Sequence, residues 1–246
     1  MSDAAEALRE LERLLQTDAP ALRASLPASF TDKAEAYVAL LLDANQRLNL
    51  TRIVEPAAVA RLHLLDALSA LPVLDALAPS RALDLGSGGG VPGIVLALAR
   101  PAVAWTLLDS ARKKADAMRG FVESLRLQNV VVVAERAEIL GHDGAHRERY
   151  DLVAARACAP LPVLLEYGLP LIQPSGSLLA WKGVLADREL RAGTAASAML
   201  GGGRPEVRPT GMTALGSHRF ALVRKVHPTP AAYPRRPGIS SRQPLA

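Results

Sequence analysis

Residues 81–94 read Arg81-Ala82-Leu83-Asp84-Leu85-Gly86-Ser87-Gly88-Gly89-Gly90-Val91-Pro92-Gly93-Ile94. A short apolar strand, residues 81–85, runs into a glycine loop and then a helix-like stretch over residues 92–99. Glycines let a backbone turn through positive φ and come close to a ligand. The next apolar strand, residues 103–108, ends at Asp109, 23 positions after Gly86. In an open α/β sheet both features fall beyond the carboxyl ends of neighbouring strands, where ligands bind. A carboxylate there can accept both hydroxyls of a ribose.

The loop is not a Walker A motif, because no Lys-Ser or Lys-Thr follows it. Its glycines stand at the first, third and eighth positions (Gly86, Gly88, Gly93), and Val91 occupies the sixth, where the dinucleotide fingerprint has glycine. The spacing favours S-adenosylmethionine, whose short methionine moiety needs no pyrophosphate cradle. A nicotinamide cofactor stays open as a rival.

Outward from the loop, strand and helix patterns alternate. Helices are expected at residues 111–125, 161–169 and 187–200, and strands at 129–134, 150–154, 176–181, 207–211 and 218–226. With the first two, this makes seven strands in a mostly parallel sheet with helices on both faces, a Rossmann-like α/β fold. Towards the N-terminus the periodicity is helical. Leu8, Leu11, Leu14 and Leu15 share one face of a helix over residues 5–15. Thr31 and Asp32 are placed to cap a second helix over residues 33–47, and Pro56 opens a third that runs through His63 to Leu71. The expected division is a helical extension packed on the core (1–75), the sheet domain (76–226) and a basic tail (227–246).

Half of the 246 residues are hydrophobic but only 4% are aromatic, so Leu, Ala and Val must fill the core. A single cysteine, Cys158, rules out an intrachain disulfide and supports no metal cluster; it is expected to be a small buried side chain. No pair among the five histidines has metal-binding helical spacing, so no metal is expected. The N-terminus reads as lacking a secretion signal and no apolar run is expected to reach the roughly 20 residues of a bilayer span, so no membrane association and a cytoplasmic location are expected. The formal charge of +5 is concentrated: residues 204–246 carry eight Lys or Arg and one acidic residue, Glu206. A basic end on a near-neutral body points to an anionic partner such as RNA.

Several segments together resemble the bacterial small-subunit ribosomal RNA guanine-N7 methyltransferases, the methyltransferase G or glucose-inhibited division protein B family. They are Leu48-Asn49-Leu50-Thr51, His63-Leu64-Leu65-Asp66-Ala67-Leu68, the loop from Ala82 to Ile94, and Leu107-Leu108-Asp109-Ser110 ahead of Lys113-Lys114. Arg136-Ala137-Glu138, Arg156-Ala157, Trp181-Lys182-Gly183 and Tyr233-Pro234-Arg235-Arg236-Pro237-Gly238 follow in order. The chain departs from the family's pattern at Val91, Ile139 and Gln173, none of which removes a chemical group that the cofactor needs.

The resemblance implies methyl transfer from S-adenosylmethionine to N7 of a guanosine in a conserved loop of 16S ribosomal RNA, either naked or in a small-subunit assembly intermediate. The expected cofactor site is Gly86, Ser87, Gly88 and Val91 in the loop, Asp84 towards the ammonium group, Asp109 on the ribose, Ala137 and Glu138 beside the adenine, and Arg156. Arg156 is also the one residue expected to position the reaction. His63, Lys113, Lys114, Lys182, Arg235 and Arg236 are expected on the RNA side, with Arg52 and Arg61 adding charge. Trp181, Tyr233 and Phe121 are the aromatics able to stack on a base, Phe121 being expected in the core. The protein is expected to act as a monomer. Guanine N7 has an in-plane lone pair and needs no deprotonation, so no general base is assigned. The rival readings are a small-molecule methyltransferase and a nonenzymatic RNA-binding protein of the same fold.

Overall fold

The computed structural model describes residues 2–156 and 159–245; Cys158 and Ala157 lie outside them. The N-terminal part contains α1 (Asp3–Asp18), α2 (Pro20–Ala24) and α3 (Phe30–Leu48). Next come α4 (Pro56–Val59), a π-helical stretch (Ala60–Leu65), α5 (Asp66–Leu68) and α6 (Leu71–Leu77). The sheet domain follows as β1 (Arg81–Leu85), α7 (Gly93–Ala99), β2 (Ala104–Asp109), α8 (Arg112–Ser124), β3 (Val130–Ala134), α9 (Ala137–Leu140) and β4 (Tyr150–Arg156). It continues with α10 (Leu161–Gly168), β5 (Ile172–Lys182), α11 (Asp187–Met199), β6 (Glu206–Pro209), β7 (Arg219–Arg224) and α12 (Ile239–Arg242).

The seven strands lie in the order β3-β2-β1-β4-β5-β7-β6. β1 to β5 pair in parallel; β7 runs antiparallel to β5 and to β6. The expected α/β fold is borne out. Chain order reverses between β1 and β4, so the loops after these strands diverge and open a crevice at their carboxyl ends.

Side chains of the central strands alternate between two cores, as a period of two residues requires. Ala82, Leu152, Ala154 and Leu179 join the core under the N-terminal helices, α7 and α8, whereas Leu83, Val153, Ala155 and Leu178 join the one under α10 and α11. The leucines of α1 and Tyr37 and Leu41 of α3 belong to the first of these cores. The N-terminal helices therefore cover one face of the sheet and have no separate interior. Ser2 caps α1 through its side chain, and Asp3 and Glu6 sit in its first turn, where helix N-termini favour negative charge.

Some boundaries differ from expectation. α3 starts at Phe30, so Thr31 and Asp32 lie inside its first turn and make no side-chain cap. The helix expected from Pro56 to Leu71 is π-helical in its middle, and a separate helix begins at Leu71. The run Pro56–Leu77 is also long and apolar enough to span a bilayer by length and composition, contrary to the sequence reading, but most of it is buried against the rest of the domain. β5 begins at Ile172, four residues before its expected start; a register shift against β4 absorbs Gln173, Pro174 and Ser175.

Candidate cofactor and substrate site

At the carboxyl edge of the sheet, Leu85 is paired with Leu108 on one side and with Ala155 on the other. The chain then enters the glycine loop. Gly86, Gly88 and Gly90 all have positive φ. The N–H groups of Gly86 and Ser87 donate to the Leu108 carbonyl, at 2.8 and 3.0 Å, tying the loop to β2. Tyr37 presses on it from α3, and its buried hydroxyl donates to the Gly89 carbonyl at 2.9 Å. Tyr37→Phe leaves that carbonyl without its donor and should lower stability by about 1–2 kcal/mol, read as a shift of the urea midpoint.

Asp109 ends β2 and is largely buried. Its Oδ2 accepts the Gly88 N–H at 2.9 Å and its Oδ1 the Ala111 N–H at 2.8 Å. Each carboxylate oxygen has a further lone pair for a hydroxyl donor. The carboxylate thus holds the loop and faces a cavity of about 150 Å³ lined by Gly86, Asp109, Arg136, Ala137, Glu138 and Tyr167, among others. A second cavity of about 150 Å³ is lined by Leu41, Leu50, Thr51, His63, Ser87, Gly88, Val91 and Arg156. Gly86 lines both, so the two halves form one trough across the loop. Arg156 also borders a third cavity of about 260 Å³, with Ile53, Leu62, Asp66, Trp181, Lys182 and His218.

Asp84 sits behind the loop, fully buried. Its Oδ2 accepts the Gly93 N–H at 2.9 Å, an approach that a side chain at Gly93 would block, since a Cβ there would lie 2.7 Å from that oxygen. Its Oδ1 has no partner. Burial pushes the carboxyl up to about 6, against the opposing pull of the Gly93 N–H. On the other side of the trough, Glu138 is almost fully buried, and its Oε1 accepts Arg136 at 2.6 Å and the Gly238 N–H at 2.9 Å. Burial alone would raise the Glu138 carboxyl, but the Arg136 guanidinium and the Gly238 N–H outweigh it and hold the group below its ordinary value.

Arg156 ends β4, where its guanidinium reaches across to the π-helical stretch. It donates to the Leu62 carbonyl at 2.7 Å, contacts Asp66 Oδ2 at 3.4 Å and meets His63 Nδ1 at 3.3 Å. Arginine only donates, so Nδ1 is an acceptor. His63 is held neutral: burial, aided by the Arg156 charge, brings it down to about 4. Its Nε2–H therefore donates to Thr51 Oγ1, 2.9 Å away. The Ile53 N–H donates to the same oxygen at 3.0 Å, so the Thr51 hydroxyl proton remains to be donated elsewhere.

Not every expected residue lies open to a ligand. Arg235 grips buried Glu166 with two hydrogen bonds of 2.8 and 2.6 Å, in place of the expected exposed phosphate contact. Lys182 is bound to Glu189 at 2.8 Å and to the Ala159 carbonyl at 2.9 Å. Trp181 is mostly buried, donates to the Asp66 carbonyl at 2.9 Å and packs edge-on against Phe220. Phe121 is in the core beside Tyr37, as expected. Tyr233 is half-buried against the core under α10. Lys113, Arg236, Arg52 and Arg61 are exposed and Lys114 is half-buried.

The sequence reading assigned no role to Thr51, Tyr167 or Arg136 and did not foresee the hydrogen bond between His218 Nδ1 and Asp66 Oδ1 at 3.0 Å. The recurrence of Thr51 and Asp66 within the recognised segments was the available signal.

The family model described as rRNA small subunit methyltransferase G matches residues 31–211, most of the chain. Ribosomal RNA small subunit methyltransferase G of Moorella thermoacetica is 36% identical over 97% of this chain and 100% of its own length. The protein of that name from Roseiflexus castenholzii is 43% identical over 85% and 89%, respectively. The chain belongs to the methyltransferase G family. The resemblance read from the sequence is borne out.

Solved structures show the fold independently. An O-methyltransferase from Bacillus cereus in complex with SAH superposes with a TM-score of 0.56 at 16% identity, covering 88% of this chain and all of that one. A putative O-methyltransferase from Klebsiella pneumoniae gives 0.53 at 16% identity over 88% and 99%. S-adenosylmethionine is the cofactor of this methyltransferase. The residues present fit it: the unmet Asp84 Oδ1 is an acceptor suited to an ammonium group or a bridging water, and the carboxylates Asp109 and Glu138 line one end of the trough, where they could accept from hydroxyl or amino donors.

Proposed function

We propose that the protein methylates N7 of a guanosine in a conserved loop of 16S ribosomal RNA, acting in the cytoplasm as a monomer on naked RNA or on an assembling small subunit. The observation that carries this reading is the trough that crosses the glycine loop at Gly86 and reaches Arg156, where a further cavity opens, in a chain of the methyltransferase G family. The nucleoside end lies at Asp109, Ala137 and Glu138, with Asp109 accepting the ribose hydroxyls and Glu138 the adenine amine. Gly86, Ser87, Gly88 and Val91 border the methionine end, with Asp84 behind them.

S-adenosylmethionine supplies an electrophilic methyl group on a sulfonium. The protein's part is to orient and to exclude water. Arg156, fixed by Leu62, Asp66 and His63, forms a wall common to the methionine half of the trough and to the third cavity, where the acceptor base would lie. His63 is neutral and engaged on both ring nitrogens, which suits a structural support of that wall and not a proton carrier. N7 attacks with its own lone pair, and the cationic product is balanced by the nearby Asp66 carboxylate. The target guanine must leave its stack to enter.

The test is methylation of ribosomal RNA and small subunits with labelled S-adenosylmethionine, followed by mass spectrometric mapping. Label on N7 of one guanosine is expected; label on another atom, or on neither substrate, overturns the reading. Lys113 and Lys114, on α8 next to Asp109, are proposed to meet phosphates. The Lys113→Ala, Lys114→Ala double variant should reduce the slope of log affinity for RNA against log salt by about 1.5, with cofactor affinity unchanged.

A further inference from the structure

The C-terminal segment, expected as a basic tail, folds back onto the sheet domain through a series of specific contacts. Arg147 donates to the Tyr233 carbonyl at 2.8 Å, and His142 Nε2 contacts the Pro234 carbonyl at 2.7 Å. Pro234 seats against Gly141, where a Cβ would come within 2.8 Å of it. Arg235 then clamps the fully buried Glu166 through its guanidinium and also through its backbone N–H at 2.9 Å. Three residues later Gly238, at φ +81°, turns its N–H onto Glu138 Oε1.

Glu166 and Tyr167 are adjacent on α10. One anchors the tail and the other lines the nucleoside cavity that Glu138 also lines. Removing a carboxylate from water is costly, and such pairs are best attested where they fix a register. Here the register that Arg235 fixes is the position of Gly238 on Glu138. Arg136 and Gly238 both bind Oε1, and neither uses Oε2.

We propose that residues 233–238 are part of the cofactor site, with Arg235 and Gly238 as positioning residues that hold Glu138 so that Oε2 accepts the adenine amino group. This rests on the assignment of Glu138 to the adenine. The tail thereby sets selectivity for adenine over a base carrying a carbonyl in place of the amine. Arg235 is not a phosphate contact; Arg236, exposed beside it, is left for that role.

The experiment measures binding of S-adenosylhomocysteine and S-inosylhomocysteine by calorimetry, and of ribosomal RNA fragments by filter retention, to the full-length protein and its variants. Arg235→Ala should lower the preference for the adenine ligand about fivefold, with Arg235→Lys restoring part of it and the affinity for the inosine ligand little changed. Gly238→Ala, which keeps the Arg235 clamp but strains the positive φ, should move the preference the same way and serves if Arg235→Ala does not fold. Equal loss for both ligands means a merely structural tail and overturns the proposal. So does unchanged cofactor binding with weakened RNA binding. Glu138→Gln separates the two levels. If it too leaves the preference intact, the adenine assignment fails; if it abolishes the preference while Arg235→Ala does not, only the tail's role falls.

Discussion

Replacing Asp109 with alanine will weaken S-adenosylmethionine binding by about a hundredfold. The carboxylate's two oxygens already receive the N–H groups of Gly88 and Ala111, and that fixes their direction before any ligand arrives. Hydrogen bonds to a charged group contribute about 1.5–3 kcal/mol each, and two ribose hydroxyls are at stake. A net loss of about 3 kcal/mol corresponds to about a hundredfold in dissociation constant. Asp109→Asn should fall between, since it keeps the shape but puts donors where one acceptor stood. Calorimetric titration decides the matter: an unchanged constant for Asp109→Ala would place the ribose elsewhere.

A second large effect concerns Asp84. Its carboxyl, raised by burial to about 6 from the usual 3.8, is half neutral in weakly acidic buffer. A raised carboxyl means that the folded chain binds the proton more tightly than the unfolded one. For the cofactor-free protein this group therefore costs nothing below about pH 4 and costs about 3 kcal/mol once the pH has risen through 6. A bound ammonium beside Oδ1 reverses the preference and favours the carboxylate, so binding expels a proton below pH 6. Affinity should then fall by up to about tenfold for each unit of pH between 6 and 5. Asp84→Asn should abolish that dependence and bind about thirtyfold more weakly at pH 7.5, the equivalent of about 2 kcal/mol for a charged hydrogen bond. A wild-type affinity that is flat from pH 7.5 to 5 would remove Asp84 from the site.

The parts of this molecule that were legible in its sequence are those written in neighbouring residues. The strand before the glycine loop falls at Arg81–Leu85 as read, because a buried parallel strand needs a continuous apolar run and the glycines end it abruptly. Asp109 closes β2 for the same reason. The start of β5 was missed because Gln173-Pro174-Ser175 has the composition of a turn, and in the structure it is an irregularity within the strand, skipped by the pairing with β4 between Ile172 and Ser177 and with Ser175 at φ 74°. The contacts that shape the site were out of reach of periodicity. His218 meets Asp66 across 152 positions, and Arg235 meets Glu166 across 69. Charge counting marked the tail as basic but could not reveal that one of its arginines is matched internally. Trp181 likewise read as an available ring, and its indole is sealed by the same Asp66 backbone that the π-helical stretch delivers.

That stretch, Ala60–Leu65, bears on how the gene can change over time. A π turn holds about one residue more than an α turn. Deleting a single residue there would let the segment relax to ordinary winding with its two flanks facing about as they do now, so the change would fall on the side chains and carbonyls inside it. His63 and Asp66, which both meet Arg156 today, would no longer address it together. A lost codon would dismantle that wall in one event. Length is therefore the conserved quantity to look for when distant members of the lineage are compared.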